Sequence, residues 1–312
     1  MGYRLHPGRP IQDEVRRIAE RQFAQAIEGL RAVGDPESDE IVHTARRHIK
    51  KIRALLRLVR PALRDRYDSV NLRLRAVSRV LAPVADGQAI VETLARLAQR
   101  YPGKLPANTL AAIHDRLLRR EAAADEEAAL NNVLETAAAL LRAERDTVSR
   151  WTLHETGFRA IAPGLERSAR DGREAMARAL CRFSSARYHT WRQRVKDQWL
   201  QVRLLQSRCG DDALALHERH LEELDGCLGE YHNCAILRDV LTSDSSLARQ
   251  DAALCLRLVR RYERDLRTKA RALGEQVHAE TPRHFVKWVR RLWYADKRRR
   301  TAPGGTSWRP AA

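Results

Sequence analysis

Two runs of this chain set histidine, arginine and lysine at helical spacing. The first, residues 43–57, reads HTARRHIKKIRALLR and contains no acidic residue. At 100° per residue, His43, Arg46, Lys50, Arg53 and Arg57 share an arc of about 80° and run roughly 21 Å along a helix axis. Like charges at i,i+3 and i,i+4 repel, at about 0.2–0.5 kcal/mol per pair. A helix selected for stability alone would interleave glutamates on that face. The pattern therefore points to an anionic ligand with closely spaced charges. Arginine offers planar, bidentate donors to phosphate oxygens, and lysine a compact point charge. Histidine adds a donor whose charged form a bound phosphate would favour. Arg47 and Lys51 lie farther round the helix and are expected as solvated or peripheral contacts.

The run recurs. Residues 189–203 read HTWRQRVKDQWLQVR, and His189, Arg192, Lys196 and Arg203 answer His43, Arg46, Lys50 and Arg57 at a constant offset of 146. Trp199 stands where the first run has Arg53, so one cation is lost. Downstream, LAPVADGQAI from Leu81 aligns with LGEYHNCAIL from Leu228 at an offset of 147. The chain reads as two copies of one unit. The expected division is a first repeat over 1–150, a second over 151–297, and a disordered basic tail over 298–312.

The elements that must carry these side chains are helices. Ala45, Ile49, Ile52 and Leu56 form an apolar stripe beside the first line of cations, as Trp191, Val195 and Val202 do beside the second. Helical segments are predicted over 11–33, 39–60, 65–82, 86–100, 106–122 and 125–150. A further series is predicted over 154–181, 184–209, 211–227, 231–242, 245–275 and 281–297. Breaks fall at GDPES, Pro61, YPGKLP, Gly210, Gly229, TSDSS and Pro282. No segment alternates with a period of two, and 312 residues hold only 15 glycines and 11 prolines, so the fold class is all-α.

Charge bounds the partner. Fifty-eight Lys and Arg against 40 Asp and Glu leave a net +18, which favours a polyanion. No apolar stretch is long enough to span a membrane, and MGYRLHPGRP lacks the apolar core of a secretory signal. The five cysteines are widely spaced without a C-x-x-C pair, which suggests buried free thiols in a reducing cytoplasm.

At the basic runs the chain resembles the CHAD domain, the conserved-histidine α-helical domain of bacterial and archaeal proteins. VHTARRHIKKIRALLRLVRP is similar to that family's first basic helix, and YHTWRQRVKDQWLQVRLL to its second. LGEYHNCAILRDVL is similar to its Leu-Gly-x-x-His-Asp stretch, and GFRAIAPGLERSARDGREAM to the lead-in of the second helix. The resemblance covers about residues 10–297. It implies two antiparallel four-helix bundles related by a pseudo-twofold axis, with both basic helices lining a central groove or pore. It also implies a ligand, inorganic polyphosphate, and association with polyphosphate granules. His43, Arg46, Lys50, Arg53, Arg57, His189, Arg192, Lys196 and Arg203 carry over as ligand contacts, with His232 from the third motif. Two departures bear on this: Ala85-Asp86 stands for Arg-Asp, and His232-Asn233 for His-Asp.

Polyphosphate has no base or sugar to recognise, so a site for it needs closely spaced cations and counterion release. The alternative is a non-specific nucleic-acid binder, or weak nucleic-acid binding beside the main role. Against it, aromatics are 5% of the chain and no platform of interleaved rings and cations is visible. An enzyme is not expected. There is no Walker loop, no E-x-E-x-K strand of the CYTH domain that often accompanies the family, and no evident magnesium site. Neither cofactor nor metal is expected: His217/His220 and His278/His284 lack a third ligand, and Asp86 with Glu92 reads as a helix cap and a solvated face. The acidic segment 121–132 reads as a solvated face rather than a docking surface. No sequence signature fixes the oligomeric state.

Overall fold

The computed structural model describes residues 2–31, 38–81, 87–122, 127–243 and 249–301. Among them no strand occurs, and twelve α-helices follow in order. These are α1 (Ile11–Arg31), α2 (Ser38–Leu58), α3 (Arg60–Leu63), α4 (Asp65–Val80), α5 (Gly87–Arg100), α6 (Ala107–Ala122) and α7 (Glu127–Arg145). After them come α8 (Ala162–Cys181), α9 (Ser185–Cys209), α10 (Asp212–Ser243), α11 (Arg249–Val277) and α12 (Pro282–Thr301). The fold is all-α, as the scarcity of turn residues implied. No helix among the described residues is long and apolar enough to cross a membrane.

The apolar stripes do the packing. In α2, Ala45, Ile49, Ile52 and Leu56 are essentially inaccessible, and in α9 so are Trp191, Val195 and Val202. α1, α2, α4 and α7 pack on one another, while α9 packs against α8, α10 and α12. α2 and α9 also pack directly together. Where they meet, both are enclosed on every side. Ala54, Leu55 and Leu56 are buried in one, and every residue from Asp197 to Val202 in the other. Gln201 Nε2 donates to the Ala54 carbonyl across this contact, at 3.2 Å. The N-terminal segment straps the junction, with the Tyr3 hydroxyl on the Lys51 carbonyl at 2.7 Å and the Leu5 amide on the Leu204 carbonyl at 2.8 Å.

A glycine sets how closely α8 approaches. A Cβ on Gly164 would lie 1.9 Å from the Leu58 carbonyl oxygen, so only glycine lets the start of α8 abut the end of α2. The connection between the halves is anchored as well. Trp151 is fully buried, its carbonyl accepts from Gln12 and Arg16, and the His154 amide donates to Ala62.

Several boundaries differ from expectation. The segment predicted to run to 150 ends at Arg145 and continues as a short 3-10 turn, Val148–Arg150. The segment predicted from 154 begins as a helix only at Ala162, after Gly157 at φ +56° and a second 3-10 turn. No break occurs at Gly229: α10 runs unbroken from Asp212 to Ser243, and the reason lies in the site described below. α12 continues to Thr301, past the expected start of the tail at 298. The rest of that tail lies outside the described residues, as do residues 34–37 of GDPES, Ala85-Asp86, residues 244–246 of TSDSS and residues 123–126 of the acidic segment. Of the cysteines, Cys209, Cys227, Cys234 and Cys255 are buried, but Cys181 is exposed at the end of α8.

Candidate polyanion groove

Near the middle of α2 and in the first half of α9, cations from both helices come within electrostatic reach of one another, Lys50 among them. Its side chain has solvent-exposed surface, yet stands among enough protein to lose hydration, as in an open groove. Burial, then the charges of Arg192, Arg46 and Lys196, push its ammonium down to about 8, with Asp225 opposing. Among the described residues Lys50 makes neither a hydrogen bond nor an ion pair. Arg192 is half-buried, its charged form opposed by burial and by Arg46 and supported by Asp225. Lys196 donates to Asp225 Oδ2 at 2.7 Å and stands 4.2 Å from the Trp199 ring centroid.

Gly229 belongs to this arrangement. A Cβ there would meet the Arg192 guanidinium at 3.3–3.5 Å. The glycine that resembles a helix break in sequence is the surface against which Arg192 lies.

The histidines cluster at the same place. The His189 and His232 rings are 4.5 Å apart, centroid to centroid. Gln193 Nε2 donates to His189 Nε2 at 2.8 Å, which leaves the imidazole proton on Nδ1. That Nδ1 is buried without a partner among the described residues. Burial, then Arg192 and Lys50, lowers the pKa of His189. Burial, then His189, Arg192 and Lys50, brings His232 down to about 4. His43, more exposed, is lowered by burial and by Lys50, Arg47 and Arg46, with Glu92 opposing. Burial and neighbouring cations thus favour the neutral form of all three.

The groove thus gathers His43, Arg46, Lys50, His189, Arg192, Lys196 and His232. It does not gather the rest of the two stripes. Arg57 is held by Asp197 of α9 at 2.5 Å, and Arg53 donates to Asn71 at 3.2 Å. Arg203 lies 3.9 Å from Glu218 and 5.6 Å from the Trp199 ring centroid. Lys51 stands 5.8 Å from the Tyr3 ring centroid. Arg47 bonds Thr44 and is exposed, the peripheral position expected of it. The expectation that something outside the protein neutralises the whole stripe is therefore corrected. Asp197 neutralises Arg57, Asp225 neutralises Lys196, and Glu218 lies close to Arg203, each from another helix and none visible in the first run.

The four histidines weighed as metal ligands are rearranged by the fold. His217 and His278 come together with Gln198 around a cavity of about 80 Å³, whereas His284 is exposed beside Glu280. Among the described residues no three His, Cys, Asp or Glu side chains converge as a metal site.

An all-helical scaffold that holds cations from two basic helices close together is the class that fold and site define. A family model agrees: the CHAD domain matches residues 17–242, and the chain belongs to that family. The family is generally associated with polyphosphate binding. No curated protein matches the chain significantly.

Proposed function

We propose that this protein binds inorganic polyphosphate in the groove between α2 and α9, and that it is a binding and targeting module without a catalytic step. Its place on this reading is the cytoplasm, on polyphosphate granules. One observation carries the reading: Lys50, without a carboxylate partner of its own, stands among Arg46, Arg192 and Lys196. Cations held this close have an electrostatic cost that only a ligand of high charge density relieves along its length.

The test is a titration of the purified full chain with long-chain polyphosphate, duplex DNA and tripolyphosphate, at matched phosphate concentration and two salt levels. The expected result is a polyphosphate affinity at least about tenfold above that for DNA, with a steep salt dependence. Equal competition by DNA would replace this reading with that of a general polyanion surface.

A further inference from the structure

Asp225 is the carboxylate that stands beside the cations of the groove. It comes from α10, is only 7% exposed, and accepts from Lys196 through Oδ2. Its Oδ1 is buried without a partner among the described residues. Its charge reaches Lys50 and Arg192 as well. One anion therefore stands among three cations from two helices.

The first repeat has nothing equivalent. At the offset of 147 the residue answering Asp225 is Ser78, flanked by matching core positions Leu74/Leu221 and Val77/Leu224. Ser78 donates to the Leu74 carbonyl of its own helix at 2.8 Å. Lys50, the repeat partner of Lys196, thus lacks the counter-ion that Lys196 has. The carboxylate is not required by the architecture of the repeat, since one copy does without it.

We infer that Asp225 is a built-in counter-ion that sets the selectivity of the groove. It occupies Lys196 in the unliganded protein, competes with an incoming phosphate there, and so disfavours short anions relative to long phosphate chains. A short anion must meet that competition at its few contacts. A long chain spreads its contacts over the remaining cations and loses a smaller share. The inference rests on the functional reading above and deepens it.

The experiment compares wild type with Asp225→Asn and Asp225→Ser, the latter restoring the residue type of the first repeat. The probes are sodium tripolyphosphate and long-chain polyphosphate, each titrated into the full chain at several salt concentrations. Removing the competitor is expected to tighten tripolyphosphate binding about fivefold and long-chain binding about twofold, the scale of one charge-assisted contact. The slope of log K against log salt should steepen by about 0.7, one more cation engaging phosphate. A merely structural role would not steepen it. Wild-type binding with affinity and slope unchanged or weaker in both variants overturns this inference alone. So does failure of both variants to fold, which would assign Asp225 to stability. A wild-type protein that binds neither probe overturns the functional reading, and this inference with it.

Discussion

Lys50 and Lys196 occupy the same place in two copies of one helix, yet they stand in opposite electrostatic states. Lys196 has a carboxylate at 2.7 Å and an aromatic face at 4.2 Å. Lys50 has neither, and Arg192, Arg46 and Lys196 act on it more strongly than Asp225 does. The contrast extends along the pair. Arg57 of α2 meets Asp197 of α9 at 2.5 Å. Their repeat partners are Arg203 and Lys51, and there two cations face each other, with Arg203 helping to lower the pKa of Lys51. The two runs share a register at an offset of 146 and differ at single positions. Lys196 and Arg203 of α9 have carboxylates of α10 beside them. Lys50, just past the middle of α2, has no such partner among the described residues, and on the proposed reading its charge is left to the ligand.

That difference predicts opposite phenotypes. The largest effect is on stability. Arg57→Met leaves Asp197 buried without its main partner, and breaking a largely buried pair should cost about 2–3 kcal/mol in urea denaturation. Polyphosphate affinity should stay within about twofold. Lys50→Met should do the reverse: affinity falls about tenfold, with stability unchanged or slightly higher as repulsion is relieved. If Lys50→Met unfolds the protein as readily as Arg57→Met, the two helices do not differ in the way described.

A smaller effect sharpens the same contrast through pH. Lys50 loses its proton near pH 8 in the free protein, and a bound phosphate raises that pKa. Binding above pH 8 therefore takes up a proton, and affinity should weaken as pH rises, by at most about tenfold per unit. Lys50→Arg should flatten this alkaline limb, whereas Lys196→Arg should not. On the acid side the sign is the same: a phosphate beside His189 and His232 raises their depressed pKa values, so affinity grows as pH falls below neutral. An isothermal titration in buffers of different ionisation enthalpy reads the proton uptake directly.

Much of this was legible in the residues. A 3.6-residue period gave the register of both basic helices, and the apolar positions assigned to them are those that are buried. His189, Arg192 and Lys196 share the stripe that the periodicity gave them, and His232, carried over from the family resemblance, stacks near His189. The gaps have a common cause, since they lie in contacts between segments distant in sequence. Asp197 is 140 residues from the Arg57 it neutralises, and Asp225 is 29 from Lys196. Gly229 reads as a helix break because glycine is a poor helix former. In the fold it is a clearance for Arg192 within a continuous helix. Trp199 counts in sequence as a lost cation, yet its ring faces Lys196 at 4.2 Å and Arg203 at 5.6 Å, so the position still serves the basic surface. Arg53 and Arg57 lie on the correct stripe, but the stripe passes from the groove into the packed junction, where Asn71 and Asp197 take them up.

The most direct measurement is the affinity of Lys50→Glu/Lys196→Glu for long-chain polyphosphate beside wild type, with thermal unfolding followed on the same samples. The groove described here predicts that binding is lost while the helical signal and a cooperative transition persist. A folded double variant that binds polyphosphate as tightly as wild type would place the contacts elsewhere on the basic surface and contradict the groove as the site.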